Sequence, residues 1–447
     1  MQGAQEHERQ ATVREAGGRG ALTPEVEELM RITARRAAWF FVWSIVFALS
    51  IGATLGALLW LGLTLQVDLL GGLSPLSARH AHAYAQIFGF AVLFVCGVAY
   101  HVLPRFSGRA WQGGPWQRLT LLGLASGAGL AAGAALWGEE RALLFLAHAA
   151  LVFGSLAFAR AVGGQLRGAA VTPPLLPVYV QLGSWWLVAA SALPLLSPTV
   201  LASDRSALWE AALWGFAGNW IYGMSLRILP ASLGLVYRES GVDRLICAAH
   251  QVGTLLWCLG LVGMSGWLPV AVTTAGRAGG LLLAVAGAGF VCRLGFFRGR
   301  ATPAHRMPGT EKYLWSAYAY LFLALLLGPL RAAVTGTAYV GPVADFARHA
   351  FTLGFLTQMI FGVSMRVLPA AAGIPIWSPR LRDGTYWLLN LGIVLRAGEV
   401  ITAWGASTAW YRWSAISGPI SWAAFVLFAV NLVMSVRQHR PGPATSR

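Results

Sequence analysis

Long apolar runs separated by short polar breaks dominate the chain from its fourth decade of residues to its last. They fall near 37–62, 80–104, 118–137, 142–160, 175–198, 206–230, 246–268, 275–296, 312–334, 346–369, 384–404 and 413–436. Each is about as long as the roughly 20 residues that a helix needs to cross a bilayer. Backbone N–H and C=O groups in hydrocarbon must be satisfied within the segment, which makes runs of this length helices. The pattern therefore predicts an all-α polytopic membrane protein with about twelve transmembrane helices. It divides into a polar N-terminal segment at 1–36, a membrane domain at 37–436 and a tail at 437–447. The first 36 residues hold no early apolar stretch, so the first run is expected to be a span and not a cleavable signal.

Composition agrees with this reading: 57% of residues are hydrophobic, 11% are charged, and mean hydropathy is +0.61. A soluble domain carries about a quarter charged residues, so a water-solvated surface cannot be built from this supply. The net charge of +16 sits in short loops and forms no stripe that could follow a phosphate backbone. The expected partner is a lipid bilayer and not nucleic acid. Of the 33 Lys and Arg residues, 25 fall at the two ends and in the even-numbered loops, and eight on the opposite side. By the positive-inside rule both termini are then cytoplasmic. Cys96, Cys247, Cys258 and Cys292 lie in or beside apolar runs without a CxxC pair, which argues against a disulfide framework.

The second, sixth and tenth spans share one pattern: Gly-Phe, six residues, Gly, three residues, His or Arg, any residue, Leu-Pro. Its copies are Gly89-Phe90…Gly97…His101-Val102-Leu103-Pro104, Gly215-Phe216…Gly223…Arg227-Ile228-Leu229-Pro230 and Gly354-Phe355…Gly362…Arg366-Val367-Leu368-Pro369. They lie 126 and 139 residues apart, with four spans in each interval. Close packing by Gly and helix ending by Pro account for each residue singly, but not for the shared spacing. The chain reads as three four-helix units, 4+4+4. Ordinary secondary transporters instead divide into two halves.

Nine histidines complete the candidate chemistry. His7, His305 and His439 lie in polar segments and are expected to be solvated, and His250 is expected to anchor at an interface. His82 precedes Gly89 by seven residues, and His349 precedes Gly354 by five. With the glycines level, the two imidazoles differ in height by only about 3 Å, in the outer half of the membrane. Two helices presenting imidazoles at one depth can hold a planar macrocycle and supply both axial nitrogens to its iron. His80 lies about 200° around the helix from His82 and cannot face the same ligand. It is left as an outer-rim residue, a propionate partner or a copper ligand. His101 takes the place of Arg227 and Arg366 and reads as interfacial. His148, alone in its span, reads as a hydrogen-bonded contact between helices.

Twelve helices in pseudo-threefold 4+4+4 order resemble the catalytic subunit of haem–copper oxidases and nitric oxide reductases. The segment Arg79-His80-Ala81-His82…Phe88-Gly89-Phe90…Ala99-Tyr100-His101-Val102-Leu103-Pro104-Arg105-Phe106 is similar to their low-spin haem helix. The closer resemblance, which extends to His349-Ala350…Gly354…Met359-Ile360…Gly362-Val363…Arg366, is to the NnrS family. These are haem- and copper-containing membrane proteins linked to the bacterial response to nitric oxide. The resemblance implies a bacterial inner membrane, a haem b held by His82 and His349, copper as a second metal, and a membrane or periplasmic redox partner. Propionates would point outward, where Arg79, Arg348 and Arg412 could pair with them, and Arg suits bidentate carboxylate pairing.

Departures limit what carries over. Ala347 stands where the oxidases place the high-spin haem ligand. The sixth span offers Glu210 and no His for a copper centre, and Tyr84 and Leu368-Pro369-Ala370-Ala371 replace further His positions of the NnrS pattern. Steady oxygen reduction of the terminal-oxidase kind is not expected. The competing class is a transporter or channel that uses intramembrane His and Arg as proton or ion sites. Only the haem reading predicts a Soret band that shifts on reduction. For the topology, reporter fusions at both ends should behave as intracellular. An external C-terminus would make the number of spans odd.

Overall fold

The computed structural model describes residues 24–438 except 110, 112–113, 197–204, 265–270, 297–308, 338, 372–373 and 406. His7, His305 and His439 lie outside the described residues. Among the described residues every regular element is a helix, with no strand. Twelve long helices follow in order: α1 24–65, α2 Pro75–Ser107, α3 Gly114–Leu136, α4 Arg141–Leu166, α5 Leu175–Leu196 and α6 206–233; then α7 Gly241–Met264, α8 Ala271–Leu294, α9 Glu311–Thr335, α10 341–371, α11 Pro379–Arg396 and α12 Ala409–Gln438.

Among the described residues, nine of these are long and apolar enough to cross a membrane. The other three are α6, α10 and α11. They carry Glu210, then Asp345 and Arg348, then Arg382, Asp383 and Arg396, each in an ion pair, and these charges lower the local hydropathy. Large apolar side chains face outward instead, among them Trp39, Leu122, Phe145, Leu255 and Trp387. In water such a surface would aggregate; in a bilayer it is the ordinary lipid-facing one. The chain is a multi-pass helical membrane protein.

Two bounds differ from the hydropathy pattern. Helix α1 starts at Pro24, ahead of its apolar run. The eleventh span, expected at 384–404, is interrupted: α11 stops at Arg396, and Gly398–Ala403 forms a separate short helix. A Cβ on Gly398 would lie 2.4 Å from the Trp410 carbonyl oxygen, so the chain turns where only glycine allows α12's first turn to approach.

The three copies of the sequence pattern share a local structure. Each contains an eight-residue π-helical stretch, at Ala85–Val92, Ala211–Gly218 and Ala350–Thr357, with the Gly-Phe pair at its fifth and sixth positions. In each copy both glycines face the preceding helix. The first approaches Phe47, Trp186 or Tyr320, and the second approaches Phe40 and Phe41, Tyr179 or Tyr313, on α1, α5 and α9 respectively. A helix that carries no side chain at these points can seat an aromatic ring against its backbone, the usual way membrane helices gain packing contacts. The packing of α1 with α2, α5 with α6, and α9 with α10 is shared in this respect.

A test follows from this packing. A Cβ at Gly215 would stand 2.6 Å from the Trp186 ring, whereas one at Gly164 in α4 meets nothing within 4 Å. Gly215→Ala should destabilise the solubilised protein by about 1–3 kcal/mol through overpacking. Gly164→Ala should be neutral or slightly stabilising. Denaturant unfolding in detergent compares the two, and equal effects would contradict the packing account.

Candidate functional site: a paired-imidazole cavity

The site is built on α2 and α10, and α1 holds one half of it. His82 and His349 face each other with ring centroids 6.5 Å apart and planes 14° from parallel. His82 Nδ1 is 2.7 Å from the Gly52 carbonyl oxygen on α1, the last residue of a π-helical turn at Ala48–Gly52. His349 Nδ1 is 2.8 Å from the Asp345 carbonyl oxygen, one turn earlier on its own helix. A carbonyl oxygen can only accept, so both Nδ1 atoms carry the proton and donate it. Each Nε2 is then left as the basic nitrogen, the arrangement that orients a metal-binding imidazole.

Helix α1 also makes room for the first ring. A Cβ on Gly56 would stand 2.6 Å from His82 Cε1 and Nδ1, so any side chain there would push the imidazole away. Gly52 and Gly56 are one turn apart. One supplies the acceptor and the other the space.

Two cavities of about 950 and 1430 Å³ flank the pair, and His82, His349, Gln86, Arg79, Asp345 and Arg348 border both. Phe90, Leu213 and Leu356 wall the first, and Trp60, Leu63 and Phe425 wall the second, so the space between the rings is apolar below and charged at its rim. Apolar walls with a few convergent polar groups are the usual form of a cofactor site.

The rim is held by paired charges. Arg348 Nε donates to Glu210 Oε1 at 3.0 Å, and its guanidinium lies 4.5 Å from the Tyr339 ring. Glu210 is buried and also accepts from Trp214 Nε1 at 2.8 Å. Arg396 pairs with Asp345 and with Glu399, at 3.1 Å from Glu399, and stacks 4.1 Å from the Trp60 ring. Arg79 is exposed at the mouth. Arg412 is exposed too, but it borders neither cavity; Arg396 stands at the rim instead.

The remaining histidines are placed apart from the pair. His80 borders the first cavity, is buried, and sets Nδ1 2.5 Å from Glu139 Oε1, while Glu139 Oε2 accepts from the buried Arg205. Its Nε2 has no partner. His148 links α4 to α2 and α5, with Nε2 2.8 Å from the Tyr84 hydroxyl and Nδ1 3.1 Å from the Ser191 carbonyl. His101 and His250 are buried in the bundle; His250 Nε2 donates to the Trp214 carbonyl at 3.1 Å. Among the described residues, no three of His, Cys, Asp and Glu converge as a metal site.

Sequence reasoning passed over Gly52, Gly56, Asp345, Arg396 and Glu399. The available signals were a Gly-x-x-x-Gly step in the first span and an Asp one turn before His349. Fold and site together describe a helical membrane protein with a paired-imidazole cavity in its core. The chain belongs to the NnrS protein family, whose profile matches residues 37–440. A search of curated proteins gave no match.

The rim yields its own prediction. Glu210→Leu strands the Arg348 charge and should cost about 3–5 kcal/mol in denaturant unfolding. Adding Arg348→Met should recover part of that loss, the coupling expected of a contacting pair. Additive losses would mean the two side chains act independently.

Proposed function

We propose that the protein binds one haem b between His82 and His349 and serves in membrane electron transfer or in the response to nitric oxide. The observation that carries this is the geometry of the pair. An iron held by both Nε2 atoms would fit between ring centroids 6.5 Å apart. The tied Nδ1 atoms, the free Nε2 atoms and the near-parallel planes fit the same group.

Bound there, haem supplies one-electron exchange at an iron whose potential depends on ligands, hydrogen bonds and burial. The chain's own residues do the rest. Gly52 and Asp345 carbonyls fix the imidazole orientations and raise the basicity of Nε2. Arg79, Arg348 and Arg396 offer guanidinium groups to carboxylates at the rim. Phe90, Leu213, Leu356 and Phe425 keep water from the centre. For copper, His80 Nε2 is the donor at hand, and no third ligand converges with it among the described residues. The proposal therefore rests on haem.

His82→Ala and His349→Ala should each remove most of the haem, and the double variant should look like either single one, since the two ligands act as a unit. His80→Ala and His148→Ala should keep it. Gly56→Val should weaken retention through His82 alone. Haem per protein and the reduced-minus-oxidised spectrum decide. Retention of haem by both His82→Ala and His349→Ala would overturn the assignment. Purified protein without a Soret band would favour the transporter class.

A further inference from the structure

The end of the bundle remote from the paired imidazoles carries a separate, basic cavity. Arg109, just past α2, follows His82 by 27 residues, roughly 40 Å of helix, which exceeds the roughly 30 Å of a bilayer's hydrocarbon. The cavity therefore sits at the opposite headgroup level, on the side that the Lys and Arg count assigns to the cytoplasm. It encloses about 740 Å³, bordered by Arg109, Arg160 and Arg167 with Trp116, Gly164 and Gln165 between them. Among the described residues, no carboxylate borders it. Its walls are tied together. Arg109 Nη1 and Nη2 donate to the Arg167 and Gly168 carbonyls at 2.9 and 2.7 Å, which fastens the loop after α2 to the end of α4. The buried Gln165 returns the tie, its Nε2 donating to the Arg109 carbonyl and to Ser107 Oγ at 2.8 Å each. The Arg160 guanidinium lies 5.5 Å from the Trp116 ring on α3, and a Cβ on Gly164 would meet nothing within 4 Å, so the wall is open there.

We propose that this cavity holds the headgroup of an anionic glycerophospholipid, with an acyl chain laid along the outer face of α4. Three observations carry it. The first is the donor set: guanidinium forks match the oxygens of a phosphodiester, and three of them converge here. The second is the missing carboxylate. A zwitterionic headgroup would bring an ammonium that no anion on the wall receives, so the cavity favours a headgroup of net negative charge. The third separates a lipid from a free phosphate. Leu146, Phe153 and Leu156 precede Arg160, Gly164 and Arg167 on one face of α4 and its cap, at steps of seven, three, four, four and three residues. All six are exposed. From Leu146 to Arg160 is about 21 Å of helix, against roughly 15 Å for one leaflet's hydrocarbon, so the apolar part of this face can flank a whole acyl chain. Trp116 stands at the level where the two meet, as aromatic side chains do at a membrane boundary. Basic pockets between helices on this side of a membrane are suited to anionic headgroups. The site shares no residue with the paired-imidazole cavity and stands or falls separately.

Native mass spectrometry of the full chain in detergent reads the binding, with phosphatidylglycerol, phosphatidylethanolamine of the same acyl chains, and inorganic phosphate as the probes. Phosphatidylglycerol should be retained in preference to phosphatidylethanolamine. Replacing two guanidiniums, in Arg160→Gln with Arg167→Gln, should weaken that retention about thirty-fold, equivalent to roughly 1 kcal/mol for each basic side chain. Arg118→Gln, an exposed arginine of α3 at the same end that does not border the cavity, should change it little. Equal retention of the two lipids would overturn the proposal, as would an equal loss in Arg118→Gln. Displacement of the lipid by inorganic phosphate at matched concentration would overturn it too, since the site would then read the phosphate alone. If the double variant does not fold, the unmodified protein in phosphatidylglycerol nanodiscs decides by cryo-electron microscopy. A headgroup between Arg109 and Arg160 with its chain on Phe153 and Leu156 is the expected result, and a cavity without lipid contradicts it.

Discussion

The orientation of two half-buried imidazoles is the constraint on which the paired-imidazole site depends. Each histidine gives its Nδ1 proton to a main-chain carbonyl, Gly52 for His82 and Asp345 for His349. Main-chain acceptors cannot titrate or swing away, so the rings are held as firmly as the helices are. The 6.5 Å separation is thus a property of how α1, α2 and α10 pack. That packing depends in turn on glycines that let backbones and rings approach. Removing the Gly56 clearance would move an imidazole without touching either ligand.

Around this neutral pair the charges are arranged in compensated groups. Arg348 is answered by Glu210, and Arg396 by Asp345 and Glu399. Pairs of this kind contribute little net stability, because desolvation offsets most of the attraction. They hold guanidinium groups at the rim in fixed positions. Asp345 joins the two systems: its carbonyl orients His349 while its carboxylate holds Arg396. A change in charge at the rim is therefore felt at the imidazole through one residue.

Much of the architecture was legible in hydropathy, since a lipid-facing helix must be apolar along its whole length. The exceptions are instructive. α10 and α11 are charged where the site needs charge, and α11 stops at Arg396 because Gly398 lets α12 approach. The repeated Gly-Phe pattern placed His82 and His349 at one depth, and the structure brings those residues together. It could not reveal which carbonyls would receive their protons, because the contact of Gly52 and Gly56 with α2 is tertiary. Counting loop arginines likewise assigned sides but not directions. Arg412 and Arg396 fall on the same side by that count, and only packing shows that Arg396 turns inward over Trp60. Position along the helix does not reveal that the bundle buries His101 and His250.

Low-temperature EPR of the oxidised, purified protein tests the central claim most directly, because it reports both ligands and their relative orientation. Two imidazoles with near-parallel planes split the iron's two π-symmetry d orbitals strongly. The account predicts a low-spin ferric signal of the well-resolved rhombic kind, at one spin per chain. A high-spin axial signal would mean that one of the two nitrogens is not bound. A low-spin signal of the strongly anisotropic kind given by crossed planes would contradict the observed geometry, and the absence of any haem signal would contradict the assignment itself.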